Sequence, residues 1–185
     1  MISVYPLLIY TPRLLIREMT MSDAEPIWAY NQHPRHRTYE PDPPRSLEEF
    51  RGIVQWILNT QIERPRQYYY TVACLKDDPQ ALVGSVHITV RDAEHRQAEV
   101  GYSFNQAYWG AGYATETARA LVSFAFHDLG MHRVFADGIV SENMASVRVA
   151  EKLGMRHEAT CRESLYFAGR WWDTLLYAVL EQEWR

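Results

Sequence analysis

The chain has 185 residues, of which 47% are hydrophobic and 23% charged, and its formal net charge is -4. This average composition excludes a disordered chain, a fibrous protein and a polybasic nucleic-acid-binding arm. The length predicts a single domain over residues 1–185. No apolar stretch approaches the ~18 residues of a membrane helix, and residues 1–10 carry neither a basic flank nor a small-residue cleavage site. We therefore expect a cytoplasmic protein with no membrane or nucleic-acid partner.

Cysteine and histidine give no sign of a metal centre. The two cysteines, Cys74 and Cys161, are too few for a disulfide scaffold or a four-thiolate site. The seven histidines show no metal-ligand spacing. We expect no bound metal and a core formed by apolar burial alone.

The first half of the chain begins with one strand and two helices. Residues 14–19 form an apolar run typical of a strand. Ser22 and Ser46 each open a capping-box pattern, which predicts one helix ending near Gln32 and a second helix through Leu58. The segment between them is rich in proline and charge and is interpreted as a loop. Three β-rich runs over residues 68–75, 81–91 and 97–104 then predict an antiparallel meander.

The second half predicts alternating helices and strands. Residues 114–129 have apolar positions at helical spacing and stop at Gly130. A strand over residues 132–139, a helix over residues 143–153 and strands near residues 155–163 and 174–180 follow. This order indicates a mixed α/β (α+β) domain with one layer of sheet and helices packed on it.

A glycine-rich loop lies between the strand at residues 97–104 and the longest helix. Gly110 and Gly112 let backbone N–H groups approach an anion, and the helix dipole adds roughly half a positive charge there. A Walker loop is excluded because no lysine occurs between Lys76 and Lys152. A dinucleotide fingerprint is disfavoured because its third glycine would fall on Thr115. A phosphate-bearing ligand and a plain turn before a core helix both stay open.

The wider pattern of motifs resembles the GNAT acetyltransferases, in particular the RimJ/RimL-type ribosomal-protein-alanine N-acetyltransferases. The resemblance covers nearly the whole chain, in the family's order and spacing. It is carried by the sequence segments at residues 11–14, 99–102, 108–116, 143–146, 151–155 and 169–173. The family loop is R/Q-x-x-G-x-G/A, and aligning Gly112 with its first glycine puts Trp109 where a basic or amide side chain stands. One side-chain contact to the pyrophosphate is then missing, and backbone donors take its place.

The resemblance implies a fold and a cofactor. The fold would be a single, mostly antiparallel sheet of about seven strands, with helices on both faces and a splayed central strand pair. The cofactor would be acetyl-CoA, attacked directly by an amine with no covalent enzyme intermediate. The implied cofactor-binding residues are Tyr102, Ser103, Phe104, Trp109, Gly110, Ala111, Gly112, Tyr113, Ala114, Asn143 and Ser146. For Asn143, a helix N-cap is an equally good explanation.

The resemblance also suggests catalytic residues. The tyrosine that many GNAT enzymes use as general acid would fall at Ala150, so this acid is absent. Ser146 is expected near the sulfur, where a hydroxyl can stabilise a thiolate whose thiol pKa is only about 8.5. Glu99, on the strand beside the expected thioester, is the first candidate base, and Glu163 is the second.

The sequence gives fewer signals for the acceptor than for the cofactor. Tyr39, Glu40, Tyr166 and Trp172 are candidate substrate-binding residues, because aromatic and acidic side chains suit a cationic amine. The expected acceptor is a protein or peptide N-terminal α-amine. A small amine (an amino acid, a polyamine or an aminoglycoside) and a non-catalytic acyl-CoA sensor are the alternatives. Whether the chain forms a homodimer stays open.

Overall fold

One mixed sheet organises residues 6–185, the part of the chain that the computed structural model describes. Its strands are β1 (Leu8–Tyr10), β2 (Leu14–Glu18), β3 (Tyr68–Leu75), β4 (Leu82–Asp92), β5 (Gln97–Phe104), β6 (Arg133–Val140), β7 (Arg156–Phe167) and β8 (Arg170–Leu180). The helices are α1 (Ala24–Asn31), α2 (Pro34–Arg37), α3 (Leu47–Thr60), α4 (Tyr113–His127) and α5 (Met144–Lys152). The spatial order of the strands is β1-β2-β3-β4-β5-β6-β8-β7.

Helices cover both faces of the sheet, as the resemblance predicted. On one face, Leu121 of α4 and Val147 of α5 belong to the larger core cluster together with strand residues such as Val100. On the other face, the second cluster joins α1 and α3 to β3, where Val54 and Val72 are both fully buried. Alternating residues of β3 enter the two clusters, as the period of two in a strand requires.

The central strand pair is splayed. The two strands β5 and β6 are parallel and pair only through Gln97 with Arg133, Ala98 with Val134 and Glu99 with Phe135. Beyond Glu99, β5 stays paired to β4 on its other edge as far as Phe104. Residues 100–104 therefore have one free edge facing a gap in the sheet, which confirms the predicted splay.

The predicted elements need four corrections. The sheet has eight strands within residues 6–185, because β1 pairs with β2. The first capping box is at Thr20 and Asp23, not at Ser22. The proline-rich segment contains α2, which Pro34 can begin because a helix tolerates proline in its first turn. The last two strands extend towards each other into a hairpin that turns at Ala168 and Gly169, both with positive φ.

Two expectations from composition concern membranes and metals. No helix within residues 6–185 is long and apolar enough to cross a membrane. In the same range, no group of three or more histidine, cysteine or acidic side chains is arranged to hold a metal ion. The interpretation of residues 1–10 as lacking a targeting signal falls partly on residues 1–5, outside the described residues.

Candidate active site

A cleft of about 770 Å³ lies at the gap between β5 and β6. Its floor is the free end of β5, with Tyr102, Ser103 and Phe104. One wall is formed by the glycine loop and the start of α4, from Trp109 to Thr115 but without Ala111. A second wall is α5 and its cap, with Asn143, Ala145, Ser146, Arg148, Val149 and Lys152. The opposite wall is the α2 segment, with Arg35, His36, Thr38, Tyr39 and Glu40.

The start of α4 offers unpaired backbone donors to this cleft. The N–H of Glu116 donates to the carbonyl of Gly112 at 3.1 Å, and this is the first hydrogen bond of the helix. The N–H groups of residues 113–115 therefore have no acceptor within α4. Gly112, the N-cap, has φ +84°, a left-handed conformation that glycine adopts freely. Three donors and a helix dipole thus converge where an anion would bind.

The glycine loop is held from behind by an ion pair. Arg13 approaches Glu116 at 2.6 Å and donates to the carbonyl of Ala111 at 2.9 Å, so that carbonyl points away from the cleft. The hydroxyl of Thr11 donates to Glu116 at 2.6 Å. Burial acts to raise the pKa of Glu116, but the hydrogen bonds from Thr11 and Arg13 hold that pKa below its ordinary value. These contacts fix the loop against β2.

The free edge of β5 presents two further backbone donors. Asn105 donates its N–H to the carbonyl of Val83 on β4, at 2.9 Å. Because N–H groups alternate sides along a strand, the N–H of Ser103 also points towards β4. Those of Tyr102 and Phe104 point into the gap. They are therefore placed to pair with an extended, amide-containing ligand.

Two features stand in for the basic residue that the loop lacks: Trp109 holds the loop in place, and α5 supplies positive charge. The Trp109 indole donates to the carbonyl of Phe104 at 2.7 Å, which ties the loop to the end of β5. Positive charge comes instead from Arg148 and Lys152, one helical turn apart on the α5 wall. Neither of them forms an ion pair within the described part of the chain. Arg119 points elsewhere, because it donates to the carbonyl of Lys152 at 2.6 Å.

Asn143 caps α5 and lines the cleft at the same time. Its side-chain oxygen accepts the N–H of Ser146 at 3.2 Å, as the N-cap interpretation predicted, and its amide nitrogen can still donate to a ligand. Ser146 itself lines the cleft, and its carbonyl accepts the Tyr102 hydroxyl at 2.9 Å. Burial raises the pKa of Tyr102 above its ordinary value, so this phenol stays protonated as the donor.

The α2 wall brings a histidine onto β5. The Nε2 atom of His36 lies 2.9 Å from the Ser103 hydroxyl, and the same hydroxyl can donate to Asn31 Oδ1 at 3.4 Å. The ring of Tyr30 packs 5.7 Å from the imidazole. Burial, followed by the charge of His33, lowers the pKa of His36 below its ordinary value. His36 is therefore a neutral imidazole near pH 7.

Two of the four predicted substrate-binding residues line the cleft. The Tyr39 hydroxyl donates to the carbonyl of Glu142 at 3.2 Å. Burial, followed by the charge of Asp42, raises the pKa of Glu40, although the residue keeps solvent exposure. Trp172 does not line the cleft; it is 7% exposed and stacks on Phe167.

Three other predicted site residues also lie outside the cleft lining. Glu99 forms an ion pair with Arg91 at 2.5 Å. Glu163 sits in a positive-φ bulge of β7 and donates its N–H to Asp173 at 2.8 Å. Tyr166 is 58% exposed at the end of β7. The catalytic roles assigned to the two glutamates stay predictions.

Sequence reasoning missed His36 as a site residue. It lies 67 positions from Ser103 in the chain, and the sequence does not predict a contact over that distance. The signal available was the sequence from His33 to His36, in which proline at the second position can begin a helical turn that directs a histidine back onto the sheet.

The chain belongs to the GNAT acetyltransferase family, because residues 13–156 match the family model described as an acetyltransferase (GNAT) domain. It is 31% identical over 176 residues to the uncharacterized N-acetyltransferase YnaD of Bacillus subtilis (strain 168). That alignment covers 95% of this chain and 98% of YnaD. The predicted GNAT family is thereby confirmed, whereas the RimJ/RimL-type branch stays a prediction, and the chain is an N-acetyltransferase of GNAT type.

Two solved structures share the fold but differ in acceptor. The spermidine N-acetyltransferase from Vibrio cholerae, crystallised with CoA and spermine, has a TM-score of 0.81 at 20% identity, covering 94% of this chain and 98% of that one. The ribosomal-protein-S5-alanine acetyltransferase from Vibrio fischeri has a TM-score of 0.80 at 22% identity, covering 97% of this chain and 99% of that one. The fold therefore does not select between a small amine and a protein N-terminus.

Proposed function

We propose that this chain transfers the acetyl group of acetyl-CoA to an N-terminal α-amine of a peptide or protein. The observation that carries the proposal is the cleft at the splay, which has anion-binding donors at one end and a polar wall with Tyr39 and Glu40 at the other. The volume of the cleft, about 770 Å³, lies within the range of ligand sites.

The residues present suit acetyl-CoA. The N–H groups of residues 113–115 suit its pyrophosphate, because they lack acceptors within α4. Arg148 and Lys152 add positive side chains for phosphate. The N–H groups of Tyr102 and Phe104 suit the pantetheine amides and the thioester oxygen. Bound acetyl-CoA supplies the acetyl group as a thioester.

The chain's own groups then have defined tasks. One N–H at the free edge of β5 holds the oxygen on which negative charge grows during attack, a task for a backbone donor rather than a side chain. The Ser146 hydroxyl stabilises the departing sulfur. The Tyr102 hydroxyl pins α5 to β5 across the splay and so keeps Ser146 at the gap.

The α-amine acceptor follows from basicity. An α-amine has a pKa of about 7.7–8.0 against about 10.4 for a lysine amine. Around neutral pH, a usable fraction of an α-amine is already the free base, so the site needs no strong base. The described cleft lining contains one carboxylate, Glu40.

A small cationic amine is the second candidate. Glu40 lies at the cleft and Asp42 lies close enough to raise its pKa. This acidic pair would attract a polyamine as well as a charged peptide terminus. The similarity of the fold to a spermidine N-acetyltransferase keeps this candidate in the test.

The test measures acetylated product by mass, with the purified chain, acetyl-CoA and two panels of acceptors. The first panel holds peptides with alanine, serine or leucine termini, each paired with the same peptide blocked at its α-amine. The second holds spermidine, free amino acids and an aminoglycoside. We expect product from unblocked peptides only. Product from small amines alone would replace the proposed acceptor, and no product from either panel would refute the proposed function.

A further inference from the structure

His36 occupies a position that the proposed function leaves unused. It lies on the α2 wall, whereas the anion-binding donors and the cations of α5 lie on the other walls. A cofactor held by those donors leaves the α2 wall as the side from which the acceptor approaches. His36 and Ser103 are then polar side chains, joined by a hydrogen bond, between the α2 wall and β5 on the side of the approaching amine.

Ser103 stands between the two backbone donors at the free edge of β5. Its side chain points to the face opposite Tyr102 and Phe104, because side chains alternate along a strand. Its hydroxyl lies 2.9 Å from His36 Nε2. A group bonded to the Tyr102 or Phe104 N–H is thus one residue away from a serine and histidine pair.

The polar surroundings of His36 are incompletely satisfied. Within residues 6–185, the Nδ1 atom of His36 is buried without a hydrogen-bond partner. Tyr30, whose ring packs beside the imidazole, is only 5% exposed. Buried polar groups of this kind are few in folded proteins, and a functional role is one recognised reason for them.

Glu99 is poorly placed for the same task. It is four residues before Ser103 on β5, about 13 Å along the strand. Its carboxylate is already held by Arg91 at 2.5 Å. A base must come within about 3 Å of the proton, directly or through one water.

We propose that the Ser103–His36 pair accepts the proton of the acceptor amine, with the Ser103 hydroxyl contacting the nitrogen and His36 Nε2 as the terminal acceptor. This inference rests on the proposed function. The amine nitrogen bonds to the acetyl carbon, the carbon–sulfur bond breaks, and the electron pair leaves on sulfur. The proton lost by nitrogen passes through the Ser103 hydroxyl to His36, which later returns it to the thiolate or to water.

The experiment compares His36→Ala with the wild-type chain on the unblocked peptide that the wild type acetylates best. We expect kcat to fall about 100-fold, within the usual range for a general base, with KM for acetyl-CoA changed less than about threefold. Added imidazole should restore part of kcat, which a merely structural role of His36 would not produce. Thermal unfolding and CoA binding show whether the variant is folded.

Three further variants make the result decisive. His95→Ala removes an exposed histidine outside the cleft and should neither lose activity nor respond to imidazole. Ser103→Ala should lose activity without rescue, because it keeps the imidazole and loses the relay. Glu99→Gln tests the base predicted from the sequence, and it should lose less activity than His36→Ala.

The two proposals fail in different ways. If the wild type is active and the kcat of His36→Ala is within about threefold of the wild-type kcat, the role of His36 is overturned. A larger loss that imidazole does not restore would overturn it as well. A 100-fold loss in Glu99→Gln with His36→Ala near wild type would return the role to the glutamate. A wild-type chain that acetylates neither panel would refute the proposed function itself, and the role of His36 with it.

Discussion

Replacing Gly112 by alanine separates the conformation of the glycine loop from the stability of α4. Gly112 has φ +84°, and a Cβ there would meet only Arg13 Nη2, at 3.6 Å, an ordinary contact. The cost is therefore conformational, about 1–2 kcal/mol for a left-handed residue with a side chain. For a chain of this size, that lowers Tm by roughly 2–8 °C.

The effect on acetyl-CoA should be larger than the effect on stability implies. If the loop relaxes towards φ < 0, the N–H groups of residues 113–115 no longer point at one anion. Losing one hydrogen bond to a charged group costs about 1.5–3 kcal/mol, which is roughly a 10- to 100-fold rise in KM for acetyl-CoA or in Kd for CoA. Isothermal titration with CoA measures this directly.

Gly130→Ala is the matched control. Gly130 follows the other end of α4 with φ +65° and has nothing within 4 Å of its added Cβ. It should lower Tm by a similar amount and leave CoA affinity unchanged. Equal CoA affinity in the wild type and in Gly112→Ala, with Tm lowered in the variant, would refute the claim that the left-handed N-cap aligns the donors.

Three other predictions follow from the same walls. Glu116→Gln should lower the free energy of unfolding at pH 7 by about 1–2 kcal/mol, after discounting for the exposure of Arg13. Because folding lowers the pKa of Glu116, the difference between wild type and variant should shrink as pH falls below about 4.3, which urea titrations measure. Arg148→Ala and Lys152→Ala should each weaken CoA binding about two- to fivefold, less at high salt, while Arg119→Ala should not. Ser146→Ala should lower kcat only about three- to tenfold, because a thiol of pKa about 8.5 leaves readily; a complete loss in steady-state assays would contradict that reasoning.

Much of the fold was readable because its signals are local. The helix at residues 114–129 and the strands of the meander follow from apolar periodicity, and α4 and β3–β5 lie within one or two residues of those predictions. The glycine-loop wall of the cleft followed too, because a glycine loop before a helix is a contiguous motif. The short elements β1 and α2, of three and four residues, were missed because they are too short to show a period.

Two of the predicted site residues have partners that the sequence did not predict, because their contacts depend on how the strands pair. Glu99 was the first candidate base in the sequence, and Arg91 across the β4–β5 turn pairs with it. Trp172 looked like part of an aromatic pocket, yet it stacks on Phe167, five residues earlier across the hairpin. In each case, the partner depends on strand register, and Arg91 lies at a bulge of β4, where the pattern of apolar residues does not determine that register.

The neutral histidine and the expected acceptor are chemically consistent. A base with a pKa below its ordinary value of about 6.5 can accept a proton only as the nitrogen bonds to carbon, when that nitrogen becomes acidic. Taking a proton from a cationic amine of higher pKa is unfavourable for such a base. The reaction therefore favours an acceptor that arrives as the free base, which at pH 7.5 is about a third of an α-amine and about 0.1% of a lysine-like amine. Selectivity for α-amines then needs no contact to the rest of the acceptor, and the side chains of the α2 wall would refine it by selecting which termini enter the cleft.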